Sequence, residues 1–300
     1  MGLTNFPNGV SSFGVPVLGG SIMTTGNVFF ADSGHAQAAD AVGHGTVERP
    51  YATIDYAVGQ CTASNGDYIV AMPGHAEVVS AAGGLDLDVA GITVIGIGRG
   101  ASMPTVTATS ATGDVDIDAA NVTIEGLNFV AGVADNAVTI DVNAVDFTIR
   151  NCRFTEPTVN LNMKICIQDG ATTTSDRMTI ENNVALLLDA ANTHFVNLAG
   201  TGNGHIIRGN TLMGDWGTAA IGGAGIVTMC TIVHNLVHNS ATDADSCINM
   251  GATATGIVAY NACSGGHATG GIVCGDLGSI ENYYELSTSD LSGVLEPASA

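Results

Sequence analysis

Val122-Thr-Ile-Glu-Gly, Phe147-Thr-Ile-Arg-Asn, Met178-Thr-Ile-Glu-Asn, His205-Ile-Ile-Arg-Gly-Asn and Cys230-Thr-Ile-Val-His-Asn are versions of one phrase. Aligned on the central apolar residue, they extend into a column of Val94, Ile124, Ile149, Ile180, Ile207, Ile232, Val258 and Ile280, spaced 22 to 31 residues apart. A β-branched phrase recurring at that period marks a solenoid with one coil per repeat. A second apolar column precedes each phrase: Leu87, Ile117, Ile140, Ile167, Val196, Ile221, Ile248 and Val273. Small turn residues part the two columns, as in Asp118-Ala-Ala-Asn121 and Gly275-Asp-Leu-Gly278. Each coil therefore reads as strand, bend, strand, with alternate residues pointing into a narrow interior. Counting one at Ile69, roughly nine coils stacked ~4.8 Å apart predict a rod on the order of 40 Å long.

Composition agrees with a thin core. The chain is 46% apolar but only 5% aromatic, and its 40 glycines suit tight corners in every coil. Its 300 residues have room for two domains, but the unbroken repeat argues for one. No apolar run reaches the ~18 residues of a membrane helix, and the N-terminus lacks the basic residues and apolar core of a signal peptide. Seven cysteines, odd in number and mostly inside strand patterns, read as reduced core residues of a chain folded in a cytoplasm. Twenty-eight acidic residues against seven basic ones leave a net charge of −21, which excludes nucleic acid and anionic membranes as electrostatic partners.

Four regions follow. Residues 1–26 contain no charge and no repeat, only scattered Phe, Val, Leu, Pro and Gly, and read as an extended apolar arm. Its side chains Phe6, Pro7, Val10, Phe13, Val15, Val17 and Leu18 are the candidate partner-binding residues, because an arm this apolar must bury them on its own rod or on a neighbour. Residues 27–66 form a cap with a short amphipathic helix near 51–60, where Ile54, Ala57 and Val58 show i, i+3, i+4 spacing. A cap is needed because an open solenoid end exposes strand edges. Residues 67–284 are the coils, and 285–300 a terminal cap or tail.

Pro50-Tyr-Ala-Thr-Ile-Asp-Tyr-Ala-Val, followed by Gly66-Asp-Tyr-Ile-Val-Ala-Met-Pro-Gly-His-Ala-Glu77, resembles the opening of pectin-lyase-like right-handed parallel β-helix proteins, in which a cap helix leads into the first strand. The resemblance covers about residues 27–284 and implies an all-β, right-handed parallel β-helix. It implies little about activity, since the superfamily includes lyases, hydrolases, adhesins and virion proteins. Separately, Thr4-Asn-Phe-Pro-Asn-Gly-Val-Ser-Ser-Phe-Gly-Val-Pro looks like the leader of structural proteins of tailed phages.

Five sets of residues are candidates for chemistry. Asp88, Asp118 and Asp141 follow the second column in successive coils, with Asp86 and Asp116 just before it; this acidic stripe is either a solvated face or a Ca²⁺ site. Glu125, Arg150, Glu181 and Arg208 alternate in charge after the first column and should pair as a structural ladder, which leaves Arg150 and Arg208 poor catalytic bases. Arg99 and Arg153 have no evident acidic partner. Asn183, Asn210, Asn235 and Asn261 share one position, with Asn151, Asn182 and Asn282 one residue earlier, and read as a structural asparagine ladder. His234 and His238, near Asp243 and Asp245, have helical metal spacing within a β phrase, which argues against a site. A sugar-binding groove would call for aromatic platforms, and the chain has a single tryptophan, Trp216.

The expectation is a non-enzymatic virion protein, a phage head decoration held by its arm to the major capsid protein or to sister subunits. It would be assembled in the host cytoplasm, would form a homo-oligomer, and would need no cofactor except Ca²⁺ if the stripe binds it. The alternatives are a tailspike-like polysaccharide lyase or hydrolase using the Asp86, Asp88, Asp116, Asp118 and Asp141 face, or a carbohydrate-binding adhesin rod.

Overall fold

The structure, a computed structural model, describes residues 24–170, 175–241, 246–265 and 271–284, together with the backbone of the strands Val10–Ser12, Val15–Val17 and Gly293–Leu295. It is a parallel β-helix. Three long sheets run along it, of ten, ten and eight strands, so about seven turns separate the first and last strands of the shortest. Thr123–Glu125, Asn128–Ala131 and Ile140–Val142 form one coil, one strand in each of the first, second and third sheets.

The phrase column is the inward row of the first sheet. Ile69, Val94, Ile124, Ile149, Ile180, Ile207, Ile232 and Val258 stack in register, all buried. Each such side chain removed from water contributes ~1.5–3 kcal/mol before ordering costs. The last member differs from expectation: Ser279, not Ile280, pairs with Val258, and Ile280 is 46% exposed. Only 22 residues separate Val258 from Ile280, and in that shortened coil two neighbouring residues compete for the column. The same one-residue offset puts Ile272 inside and leaves Val273 45% exposed.

The phrase ends at a left-handed backbone corner, which Gly or Asn fills in four of seven coils. Gly126, Asn151, Asn182, Gly209, His234, Tyr260 and Glu281 all hold φ between +45° and +73°, a region that Gly and Asn enter at least cost. This corner leads at once into the second sheet, so each coil has three strands where the sequence suggested two. The second sheet's inward row (Val106, Phe129, Phe154, Ala185, Leu212, Val237, Cys263) varies too much in size to read as a column. Its size changes are filled from within: Phe129 stacks on Phe154 at 5.0 Å, and Phe154 meets Phe195 edge-on at 5.2 Å.

The cap is built as expected. Val28–Ala31 adds a strand ahead of Tyr68–Ala71, and a helix at Ile54–Val58, N-capped by Thr53, buries Ile54, Ala57 and Val58. The polar residues of the Gly-Asp…His-Ala-Glu motif tie cap to coil. The carboxylate of Asp67 accepts from the backbone of Asn27 and Thr62 and from the Asn65 amide; burial alone would raise its pKa, but these hydrogen bonds outweigh it and hold the group below the usual range. Buried Glu77 accepts from the Ile54 N–H at 2.8 Å and pairs with buried His75 at 2.9 Å, while His75 Nδ1 accepts from the Ser33 N–H, so Nε2 carries the proton toward Glu77.

At the termini, Phe6, Pro7, Phe13 and Leu18 lie outside the described residues, and only the backbone is described at Val10, Val15 and Val17. There the expected extended arm folds back: Val10–Ser12 pairs antiparallel with Val15–Val17 in a two-stranded sheet of its own. Of the C-terminal segment, Gly293–Leu295 pairs antiparallel with Asn282–Tyr284 and covers the last edge of the second sheet. No helix among the described residues is long and apolar enough to cross a membrane. All seven cysteines are free, and burial pushes the Cys152 and Cys230 thiols up to about 12, which keeps them protonated and unreactive.

Candidate functional site

The three sheets present three chemically distinct outer faces. On the first, the Glu125, Arg150, Glu181 and Arg208 row forms in register, but it closes as two pairs: Arg150 Nε reaches Glu125 at 2.9 Å and Arg208 Nε reaches Glu181 at 2.7 Å. Among the described residues no ion pair joins Arg150 to Glu181. A further bidentate pair on another corner, Arg177 with Asp146 at 2.6 and 2.8 Å, was not legible in the columns. At such exposed positions each pair is worth ~0.2–1 kcal/mol. Arg99 and Arg153 form no ion pair among the described residues.

Between the first and second sheets runs the asparagine ladder, buried and one member longer than expected. The Nδ2 of Asn210 donates to the Ile180 carbonyl and to Asn235 Oδ1, while its own Oδ1 accepts from the backbone and side chain of Asn183. Asn183, Asn235 and Asn261 repeat the pattern, and Asn282 completes it by accepting from Asn261. Asn282 belongs to the ladder because Ser279 and not Ile280 is the column residue. Asn151 and Asn182 instead occupy the left-handed corner itself. With every donor and acceptor satisfied inside the stack, the ladder offers nothing to a ligand.

The third sheet carries the acidic stripe, in a different register from the one expected. Asp86, Asp116 and Asp141 stand opposite one another, continued by Gln168, Asn197, Gly222 and Asn249. Asp118 is two residues further on, where the Asn143 amide donates to it at 3.1 Å; Asp88 and Asp118 are exposed. The set Asp88, Asp118 and Asp141 is therefore not one stack. Val115 and Ile117 both point inward, as do Ile140 and Val142, so a two-residue slip keeps every side chain on its face and leaves no trace in the sequence.

Stacking carboxylates at strand spacing has a strong electrostatic consequence. Asp116 is pushed up to about 7, first by burial and then by the charges of Asp114, Asp118, Asp141 and Asp86. Asp86 and Asp141 are raised for the same two reasons, and one oxygen of each is buried without a hydrogen-bond partner. Asp116 is thus the member poised to hold a proton near neutral pH, with Asp86 and Asp141 raised in the same direction beside it. Among the described residues no group of three or more His, Cys, Asp or Glu side chains has the arrangement of a metal site.

His234 lies flat on Tyr260 at 5.2 Å, while His238 bonds Ser264 at 2.9 Å on the second sheet's outer face; Asp243 and Asp245 fall outside the described residues. Trp216 is fully buried, a plug in the core and no platform for a sugar. Three buried titratable groups that were not among the candidates also emerge. Asp169 points inward opposite Val142, binds the Ala199 and Gly200 N–H groups and is raised by burial to about 6. Burial likewise lowers His194 and His205 to about 4, so both are neutral.

Comparisons with protein families, with curated proteins and with solved structures each find no match.

Proposed function

We propose that the chain is a non-enzymatic structural rod of a tailed-phage particle, a decoration protein held to the shell or to sister subunits by its N-terminal arm. The observation that carries this reading is the arm's construction. It is rooted at the rod's first coil, where the Thr24 hydroxyl donates to the Gly66 carbonyl and Asn27 to Asp67, while its strands pair in a sheet apart from the solenoid. An isolated two-stranded hairpin is marginal in water, so an uncharged one needs a surface to lie on. The rod itself satisfies its Asn, Glu and Arg ladders internally, as suits a stable spacer. The resemblance of residues 4–16 to phage leaders points the same way.

Copy number tests it. Quantitative mass spectrometry of purified particles should find hundreds of copies per shell, and deletion of residues 1–23 should leave a folded rod that no longer attaches. Unimpaired attachment of the truncated rod, or absence from the particle, would overturn the reading.

A second reading rests on the Asp116 stack, since a carboxyl raised to about 7 suits general-acid work on a polysaccharide. It predicts loss of polymer viscosity that Asp116→Asn abolishes. About a dozen copies or fewer per particle would favour this spike-like role.

A further inference from the structure

We infer that the outer face of the second sheet is the surface on which two copies of this chain meet. Its described strands, from Ala76–Val79 to Asn282–Tyr284, turn one charged side chain outward, Arg153. The other two faces differ: the first carries two Glu–Arg pairs and the third the aspartate stack. In place of charge, the second sheet exposes Val78, Val184, Leu186, Met213, Leu236 and Tyr283, each between 40 and 59% accessible. Val184, Leu186, Met213 and Leu236 lie on three adjacent strands of this face, and an exposed apolar cluster of this kind marks an interaction site.

Three features select a second copy as the occupant. The first is charge: at −21 two copies repel, and they repel least where neither presents carboxylates, a condition this face meets. The second is repeat. Side-chain rows along a parallel β-helix recur at the strand spacing of ~4.8 Å, and another copy necessarily has the same spacing. Two such faces packed with their axes antiparallel keep ridge against groove along the whole contact, at the ~10 Å separation of stacked sheets. The third is area. Nine parallel strands of about four residues cover ~40 by ~13 Å, so roughly 1,000 Å² is buried in all, the lower bound of a specific interface. The pair is accordingly reversible, and it tightens with salt as screening relieves the repulsion between the copies. The inference is independent of whatever the arm holds.

Sedimentation velocity of the full chain from micromolar to millimolar concentration, at low and at 0.5 M NaCl, tests it. The expected result is a monomer–dimer equilibrium whose Kd falls several-fold at high salt. Met213→Glu with Leu236→Glu should weaken it by at least a hundredfold, whereas Ile257→Glu on the first sheet should change it less than threefold. Leu186→Thr with Leu236→Thr, which keeps strand-forming residues, should weaken it at least tenfold and guards against misfolding of the charged variant. A wild-type monomer at every concentration, or association that both second-sheet variants leave intact, would overturn the inference.

Discussion

Two polar stacks run along this rod at the same strand spacing, and they behave oppositely. In the asparagine ladder every side chain both donates and accepts, so each coil satisfies the next and the stack is buried without penalty. In the Asp86, Asp116 and Asp141 stack every ionised side chain only accepts, so burial first and the neighbours' charges second raise all three and push Asp116 up to about 7. The exchange of an NH₂ for an oxygen reverses the sign of the interaction. The first stack stabilises the rod and is chemically silent; the second costs stability when ionised and carries acid–base character.

Converting one stack into the other should have the largest effect. Asn210→Asp aims a carboxylate at the Ile180 carbonyl and Asn235 Oδ1, and should cost at least ~3 kcal/mol in urea unfolding at pH 7. Part should return in acid, where the protonated carboxyl regains one donor. A loss below about 1 kcal/mol would mean the ladder is not the tight network described here. Extending the acidic stack should cost less. Gln168→Asp removes a donor to Asp141 and adds a charge to the row, and should destabilise by about 1–2 kcal/mol at pH 8 and less at pH 5. Equal losses at both pH values would show that the stack does not titrate. The smallest effect belongs to the exposed pairs: Glu181→Gln should shift stability by under ~1 kcal/mol, and less still in 0.5 M NaCl.

The solenoid was legible because its most regular rows are β-branched and repeat in sequence. The second sheet was not, because its inward row runs from Ala185 to Phe154 in size and follows the phrase after a single corner residue that reads as a turn. The asparagine ladder was legible through its offset from the phrase, and its last member was displaced only by the short final coil. The acidic stripe was found, but its register was not, since period-two alternation is blind to a two-residue slip. The roles of Asp67 and Glu77 could be recognised as motif positions, yet their work as ties between cap and coil depends on partners 23 to 40 residues away. Buried Asp169 and His194 gave no signal, because polar residues in inward positions break the pattern by which inward positions are recognised; His205 alone stands in the phrase, at the position that Val122, Phe147, Met178 and Cys230 fill in other coils.

The most direct test of the contrast is the unfolding midpoint of wild type and Asp116→Asn at pH 8 and pH 5. Asp116 has a folded pKa of about 7, above the ~3.9 of an unfolded aspartate, so its contribution is fully present below about pH 4 and is lost as pH rises through 7. His194 and His205, lowered to about 4, act in the opposite direction on acidification, so only the difference between the two proteins isolates the stack. Asp116→Asn should raise the midpoint at pH 8 and bring little or no gain at pH 5. A midpoint that falls at pH 8, or a difference unchanged between the two pH values, would contradict the account.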